Sequence, residues 1–314
     1  MSMKLKYSTL IALLFSVVVF SQEYTLDNIK LWDKGNIPLN KDTITSQETF
    51  DEAGMRYKKI SEPALYVYRN KTIKNNGAAL LFFPGGGYST VVLGKNHGEE
   101  MAQHFLKMGF NVVAVLKYRL PDTLIVNSQE KVPLCDAQKA VSIVHKKASN
   151  WSVNSNKIAV MGASAGGHLA ASLGNLKNEI IAPEVNLDEL KIAVSILMYP
   201  VISFNLPYRH KGSFKNLLVD KSDNQELLDY YSMENKVNEY TPPTFIIHAL
   251  DDQTVVYQNS LLYCDSLKHH NVKYNFVELE KGGHGFGLNF NKTGINWTIE
   301  LESWLKTQTD LFVN

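Results

Sequence analysis

The chain has 314 residues, of which 45% are hydrophobic, so it can bury a core of the size that one large α/β domain requires. Lysine and arginine number 32 against 31 acidic residues, and this balance argues against nucleic acid or an anionic membrane surface as a partner. There is no C-x-x-C, H-E-x-x-H or Walker-type phosphate loop, so the sequence indicates no metal site and no cofactor.

Residues 1–21 have the pattern of a secretory signal peptide. Lysines near the start precede an apolar run at 10–20, and Ser21 supplies a small residue before a cut ahead of Gln22. The apolar run is too short to span a bilayer comfortably, which makes a membrane anchor the weaker interpretation. We therefore expect a secreted or periplasmic protein whose mature part, 22–314, is a single domain.

Short apolar runs alternate with helical patterns through most of the chain. Strands are predicted at 64–69, 77–83, 111–117, 157–161, 193–198, 244–250 and 272–279. Helices are predicted at 98–108, 134–148 and 295–307, with one more after residue 164 and another ending near 269. This alternation predicts an α/β fold with a mostly parallel, doubly wound sheet. Residues 22–75 read as an N-terminal strand or arm, with Trp32 packed on the main body.

The sequence leaves two features open. About 45 residues separate the strands at 193–198 and 244–250, so 204–239 is either an inserted lid segment beside the site or a solvated surface excursion. Cys135 and Cys264 lie far apart in helical patterns, which favours buried thiols over a disulfide without deciding between them.

A G-x-S-x-G pattern at 162–166 lies where the strand at 157–161 gives way to a helix. A serine on so sharp a turn needs neighbours without bulk, and glycine occupies both places two residues away. The pattern predicts Ser164 as a nucleophile whose hydroxyl projects from the sheet edge. The backbone N–H of Ala165, at the start of the helix, can then stabilise negative charge.

Three consecutive glycines follow the strand at 77–83, in the sequence Pro-Gly-Gly-Gly-Tyr. Glycine runs often mark flexible turns, so that interpretation stays open. The functional alternative is that bare backbone N–H groups approach a substrate oxygen, and it selects Gly86 and Gly87 with Ala165 as an oxyanion hole.

The order Ser164, then Asp251 or Asp252, then His284 is the chain order of one type of catalytic triad. Each residue follows a predicted strand, so all would meet at the carboxyl edge of one sheet. His284 alone among nine histidines lies in a glycine-rich loop after the last strand, free to turn toward the serine. The other histidines are assigned to helices, polar loops, the serine turn or a strand: His104, His145, His269, His270, His97, His210, His168 and His248.

The chain resembles the secreted bacterial α/β-hydrolase esterases that include acetylxylan esterases. The resemblance rests on FFPGGGY, VLKYRLP, DAQKA, GASAGGHLA, LMYPVI, HALDDQTVV with the following QNS, and GGHGFG, and it extends over about 33–304. In that family valine stands three positions after the acid, which selects Asp252 because Val255 follows it. Two departures occur: proline replaces the first histidine of H-G-G-G, and Asn96-His97-Gly98 stands where Lys-Glu-Gly is frequent.

The resemblance implies a serine esterase that removes acyl groups, acetyl first among them, from an acylated carbohydrate such as xylan, with no cofactor. Tyr88, Tyr118 and Phe286 are interpreted as lining the sugar side, although aromatic residues beside glycine loops often pack in the core instead. A feruloyl or general carboxylesterase is the nearest alternative. The residues before the first core strand leave no room for the β-propeller that prolyl-peptidase relatives usually carry. A binding protein that retained the fold would be expected to have lost at least one residue of the triad.

Overall fold

The computed structural model describes residues 24–71, 76–94, 97–176 and 178–313. The predicted signal peptide at 1–21 lies outside these residues. Eleven strands lie within them: β1 Tyr24–Lys30, β2 Thr49–Asp51, β3 Arg56–Lys58, β4 Ala64–Asn70, β5 Ala79–Phe83, β6 Val91–Val92, β7 Val112–Lys117, β8 Ile158–Ala163, β9 Val194–Met198, β10 Thr244–Ala249 and β11 Tyr274–Leu279. The helices are α1 Glu99–Met108, α2 Val132–Lys147, α3 Ala165–Asn175, α4 Lys211–Leu218, α5 Gln225–Tyr230, α6 Gln258–His269, α7 Phe290–Thr293 and α8 Thr298–Gln308.

Eight strands form one twisted sheet in the order β1-β4-β7-β5-β8-β9-β10-β11. β1 and β4 pair antiparallel, and β4 pairs antiparallel with β7, while the strands from β7 to β11 are parallel. The short strands β2, β3 and β6 make a separate three-stranded sheet. The α/β fold predicted from the sequence, with a mostly parallel sheet, is therefore confirmed.

The central strands are mostly apolar because both faces of the sheet are covered. Leu81 and Phe83 of β5 belong to one core with the inner faces of α2, α3 and α6, while Leu80 and Phe82 belong to a second core with α1 and α8. Such two-sided burial turns a strand into a continuous apolar run, which is the pattern that predicted these strands. All seven predicted strands are present within one or two residues of their expected bounds.

The N-terminal arm contributes more structure than the sequence indicated. β1 pairs along its whole length with β4, from Tyr24 opposite Asn70 to Lys30 opposite Ala64. Its side chains alternate between half-buried and exposed, and Leu26 is half exposed, so no apolar pattern announces the strand. Trp32 does pack on the main body, where its Nε1–H donates to Oδ1 of Asp136 at 3.1 Å.

The segment between β9 and β10 contains α4 and α5 and packs its apolar side chains into the main core. Phe204, Phe214, Leu217 and Leu228 are each at most 4% exposed. If this segment were wholly exposed to solvent, each of these side chains would lose about 1.5–3 kcal/mol of burial free energy. The segment is therefore a packed layer over one end of the sheet.

Both cysteines are buried free thiols, so they do not form the disulfide that the sequence left open. Burial raises the pKa of each thiol, Cys135 and Cys264, to about 12. In the part of the chain that the structure describes, no helix combines the length and the apolar character needed to cross a membrane.

Candidate active site

Ser164 occupies a strained turn between β8 and α3. Its φ of 57° and ψ of −121° place a non-glycine residue in the left-handed region, and it is 7% exposed. The flanking glycines permit this turn: a Cβ on Gly162 would lie 2.0 Å from the carbonyl oxygen of Gly166, and one on Gly166 would lie 2.1 Å from that of Phe83. Backbone approaches this close exclude any other residue at both positions.

A continuous chain of hydrogen bonds joins Ser164, His284 and Asp252. Oγ of Ser164 lies 2.8 Å from Nε2 of His284, and Nδ1 of His284 lies 2.7 Å from Oδ2 of Asp252. The carboxylate can only accept, so Nδ1 carries the proton of the neutral imidazole and Nε2 is left to accept from the serine hydroxyl. This is the tautomer that a general base for serine requires.

The two adjacent aspartates are held in different ways. Oδ1 of Asp252 accepts hydrogen bonds from the backbone N–H groups of Thr254 and Val255, and its Oδ2 faces His284. Asp251 is exposed, and its Oδ1 accepts a hydrogen bond at 2.8 Å from the backbone N–H of Gly283 in the histidine loop. Asp252 is thus the carboxylate in contact with the imidazole, while Asp251 ties down the loop that carries it.

Asp252 stays ionised in spite of its burial. Burial alone would raise the pKa of its carboxyl, but hydrogen bonds from His248 and His284 outweigh it and bring the pKa well below the usual value of 3.8. A carboxylate that remains charged holds His284 by its Nδ1–H and stabilises the imidazolium that forms when a proton is taken up.

His248 is a second histidine on the same carboxylate, and the sequence interpretation missed it because it lies within β10. Its Nε2 lies 2.8 Å from the carbonyl oxygen of Val255 and 3.2 Å from Oδ2 of Asp252, so that nitrogen must carry a proton. Its Nδ1 is 2.8 Å from Oγ of Ser260. A fully buried imidazole therefore positions the acid from behind.

The ring of His284 rests on Tyr199. The two rings meet edge to face with centroids 4.9 Å apart, and the Tyr199 hydroxyl lies 3.0 Å from Nε2 of His97. Burial, with a smaller contribution from the nearby His284, lowers the pKa of His97 to about 4. His97 lies in a loop, as the sequence indicated, and from there it supports the aromatic ring beneath His284.

The glycine loop after β5 lies against the serine turn. A Cβ on Gly85 would be 3.2 Å from Cβ of Ser164, and Gly86 has a φ of 138° with a backbone carbonyl 2.0 Å from where its Cβ would be. Gly87 follows with a φ of 62°, and Ala165 is the first residue of α3. Within the described residues, no group accepts a hydrogen bond from the backbone N–H of Gly86, Gly87 or Ala165.

The three aromatic residues expected on the sugar side are buried, and that interpretation is corrected. Tyr88 is 2% exposed with its hydroxyl 2.8 Å from Nδ1 of His168, and Tyr118 is fully buried with its hydroxyl donating to the carbonyl oxygen of Pro84. Phe286 is also fully buried, with its ring packed on Tyr199. The two tyrosines anchor their loops because each hydroxyl already has a hydrogen-bond partner in the protein, and Phe286 does so by packing on Tyr199.

His210, which the sequence assigned to a polar loop, lies beside the glycine loop after β5. Its Nδ1 accepts from the backbone N–H of Ser213 at the start of α4, so Nε2 carries the proton of the neutral ring. A Cβ on Gly87 would lie 3.9 Å from Cε1 of this ring. Burial, and then His284, lower the pKa of His210, while the Asp252 carboxylate opposes them.

The same helix is tied to the glycine loop, since Nδ2 of Asn216 donates to the carbonyl oxygen of Gly87 at 2.7 Å. Across the described ranges, no group of three or more His, Cys, Asp or Glu side chains is arranged to hold a metal ion.

Comparison with known sequences gives a family match over most of the chain. Residues 65–267 match the family described as BD-FAE. An acetylxylan esterase of Xylanibacter ruminicola is 31% identical over 236 residues, which cover 74% of this chain and 46% of that protein. An endo-1,4-beta-xylanase B of Butyrivibrio fibrisolvens is 30% identical over 239 residues, or 75% of this chain and 36% of that protein. The chain thus spans less than half the length of these curated relatives.

Solved structures agree with this match. The acetyl ester-xyloside bifunctional hydrolase from Caldicellulosiruptor lactoaceticus superposes with a TM-score of 0.72 at 30% identity, covering 90% of this chain and 96% of that one. A thermophilic esterase of Thermogutta terrifontis, Est2, superposes with a TM-score of 0.62 at 23% identity, covering 80% and 89%, and shows the shared fold alone. The resemblance to α/β-hydrolase esterases of the acetylxylan esterase type, drawn from the sequence motifs, is confirmed.

Proposed function

We propose that this chain, which belongs to the BD-FAE family, is a serine esterase that removes acetyl or other small acyl groups from a polysaccharide such as xylan. The observation that carries the proposal is the hydrogen-bonded chain from Ser164 through His284 to Asp252, with donor–acceptor distances of 2.8 and 2.7 Å. It is the arrangement that activates a serine hydroxyl for attack on an ester carbonyl.

In the first half of the reaction, Oγ of Ser164 attacks the ester carbonyl while Nε2 of His284 takes its proton. The imidazolium that forms is stabilised by the Asp252 carboxylate, whose lowered pKa keeps it charged. The carbonyl oxygen becomes negative and is held by the N–H of Ala165 with those of Gly86 and Gly87. Each such donor contributes on the order of 10²–10³-fold in kcat in comparable sites.

The tetrahedral intermediate then collapses, and the ester C–O bond breaks. His284 returns its proton to the departing sugar hydroxyl, leaving the acyl group on Ser164. A water molecule takes the place of the sugar, His284 removes a proton from it, and the resulting attack releases the carboxylic acid and restores the serine hydroxyl. The ester, one water molecule and the side chains and backbone of this chain balance these steps.

A carbohydrate substrate is supported by the names of the relatives, an acetylxylan esterase and an acetyl ester-xyloside hydrolase. Because Tyr88, Tyr118 and Phe286 are buried, other groups must meet the sugar. We assign part of this role to His210, whose Nε2–H has no partner among the described residues and whose ring adjoins Gly87. The packed segment at 204–239 that carries it acts as the cover on this side of the site.

The decisive experiment is acetate release from acetylated xylan by the mature protein, with Ser164→Ala as the blank. Release that is lost in the variant supports both the nucleophile and the acetyl class. If 4-nitrophenyl acetate is cleaved but acetylated xylan is not, the triad stands and the xylan assignment fails. Cleavage of a feruloylated oligosaccharide at a higher kcat/KM than the acetylated one would replace the acetyl assignment with the feruloyl alternative.

We also propose that the mature protein begins at Gln22 and forms one domain to residue 314. The basis is the charged and apolar pattern of residues 1–21, which lies outside the described part of the chain. N-terminal sequencing of the protein recovered outside the cytoplasm tests this directly. Recovery of a chain that still begins at Met1 would contradict it.

A further inference from the structure

A groove of about 380 Å³ opens beside the oxyanion loop and contains none of the proposed catalytic residues. Its floor is apolar, formed by the buried residues Tyr88, Leu120 and Pro121. Apolar floors with polar walls are the usual form of a site that binds a sugar or another small ring.

The walls of this groove are basic. Lys58 at the end of β3, Lys59 after it and Lys215 on α4 all line it and are all exposed. None of the three has an ion-pair partner in the parts of the chain that the structure describes. Asp122 is the acidic residue of the lining, and its Oδ1 already accepts a hydrogen bond from the backbone N–H of Leu124. Three ammonium groups against one carboxylate leave a local excess of positive charge in a chain that is otherwise nearly neutral.

The groove begins where the oxyanion loop ends. Ser89 lines it only two residues after Gly87, so their Cα atoms are separated by at most about 7 Å. Asn216 also lines it and donates to the carbonyl oxygen of Gly87 at 2.7 Å. A polysaccharide whose ester lies at Ser164 can therefore continue over the groove within one or two sugar units.

We propose that this groove binds a carboxylate or sulfate group on the polysaccharide that carries the ester, so that the substrate class is an acylated anionic polysaccharide. The inference rests on the proposed esterase function and adds the charge of its substrate. The anionic substituent of the sugar meets the ammonium groups of Lys58, Lys59 and Lys215. A lysine is a suitable partner for both anions because it acts as a compact point charge on a flexible stem.

Binding is measured by calorimetry with the Ser164→Ala protein, which separates recognition from turnover. The probes are xylo-oligosaccharides with and without a glucuronic acid substituent, and a sulfated oligosaccharide of the same length. The glucuronate-bearing or the sulfated probe is expected to bind about tenfold more tightly than the neutral one at low salt, and which of them does so identifies the anion. Since the Debye length falls to about 3 Å at 1 M salt, the preference is expected to vanish there.

The test variant combines Lys58→Gln with Lys215→Gln in one protein. The control is the single variant Lys268→Gln. Lys268 is an exposed lysine in the last turn of α6, at the end of the helix that leads into the start of β11, away from the carboxyl ends of the strands. An exposed ion pair contributes roughly threefold in affinity, so the double variant is expected to lose about tenfold for the anionic probe and the control to lose nothing.

Two further results separate this inference from the esterase proposal. If the wild-type protein cleaves no ester but the Ser164→Ala protein prefers the anionic probe and loses that preference in the double variant, the groove stands and the esterase proposal fails. If esters are cleaved but the neutral and anionic probes bind equally, the inference is overturned and the esterase proposal stands. Equal or tighter binding of a single-stranded oligonucleotide would also overturn it.

Discussion

Replacing Asp252 by asparagine tests the site most sharply, because surrounding hydrogen bonds dictate how the amide must lie. Oδ1 of Asp252 accepts from the backbone N–H groups of Thr254 and Val255 at 2.9 and 3.0 Å. The asparagine must keep its oxygen there, which turns its NH₂ group toward Nδ1 of His284. That nitrogen can then only accept, so the imidazole proton moves to Nε2. His284 can no longer receive the proton of Ser164.

A triad with the wrong imidazole tautomer loses about 10⁴-fold in kcat. At 1.36 kcal/mol for each factor of ten, this loss corresponds to about 5 kcal/mol of transition-state stabilisation. The second histidine adds to the effect, because the Nε2–H of His248 also points at the position of the new NH₂ group, 3.2 Å away in the native site. Two donors facing each other there would further displace residue 252 from its place.

The assay is kcat for 4-nitrophenyl acetate at pH 7, with Asp251→Asn as the matched control. Asp251 accepts its hydrogen bond from Gly283, and an asparagine oxygen can accept the same bond, so this variant should lose less than about tenfold. Thermal unfolding of both variants checks that each is folded. The reasoning is refuted if Asp252→Asn retains kcat within tenfold of the wild type, or if the control loses as much as Asp252→Asn.

The remaining predictions concern the glycine loop, a buried histidine and the cover segment. Gly86→Ala should lower kcat by about 10²-fold or more, because its Cβ would meet a backbone carbonyl at 2.0 Å and displace an oxyanion donor. Gly87→Ala should lose less, because its Cβ would meet Cε1 of His210 at an ordinary contact distance of 3.9 Å and the cost is confined to the φ of 62°. Equal losses in steady-state assays would contradict this. Burial lowers the pKa of His168 from 6.5 to about 4, so between those pH values the unfolded chain binds a proton that the native chain does not, and stability falls as the pH falls. Urea unfolding at pH 7 and pH 4.5 should show the wild type losing about 2.4 kcal/mol more than His168→Gln, and parallel losses would argue against that burial effect. His210→Asn keeps a side-chain acceptor for the N–H at the start of α4 but removes the Nε2–H group. We therefore expect kcat/KM to fall about tenfold for an acetylated xylo-oligosaccharide and to change little for 4-nitrophenyl acetate. An equal fall for both esters would count against contact between His210 and the sugar.

The sequence predicted those parts of the fold that depend on the pattern of neighbouring residues. The strand before Ser164 has no polar side chain because both faces of the sheet are covered. The glycines on either side of Ser164 are required because a Cβ there would lie as close as 2.0 Å to a backbone oxygen. A rule of topology predicted His284 and one of the two adjacent aspartates, since both follow parallel strands, and the family resemblance then selected Asp252 through Val255. No contact had to be known for those predictions.

Contacts between distant residues could not be predicted in this way. His97 meets Tyr199 across 102 positions, and nothing in the surrounding residues of either announces the pairing. Tyr88 follows the glycine loop and reads equally well as a substrate contact or an anchor, and the structure decides because His168, 80 positions away, accepts from its hydroxyl. His248 was hidden for the opposite reason, because its strand is so apolar that a polar function was not expected there.

Strain at the sheet edge links these anchors to the site. Tyr88, Ser164 and Tyr199 follow the neighbouring strands β5, β8 and β9, and all three are non-glycine residues with positive φ, at 60°, 57° and 35°. Such conformations cost on the order of 1–3 kcal/mol each and persist only where surrounding contacts enforce them. Here the two tyrosines are held by hydrogen bonds to His168 and His97, and the serine by its N–H, which donates to a carbonyl of β9 at 3.0 Å. The geometry of the reacting groups is therefore maintained by side chains that touch no substrate, and losing one of these anchors should loosen the serine turn or the imidazole platform without removing any group that takes part in the chemistry.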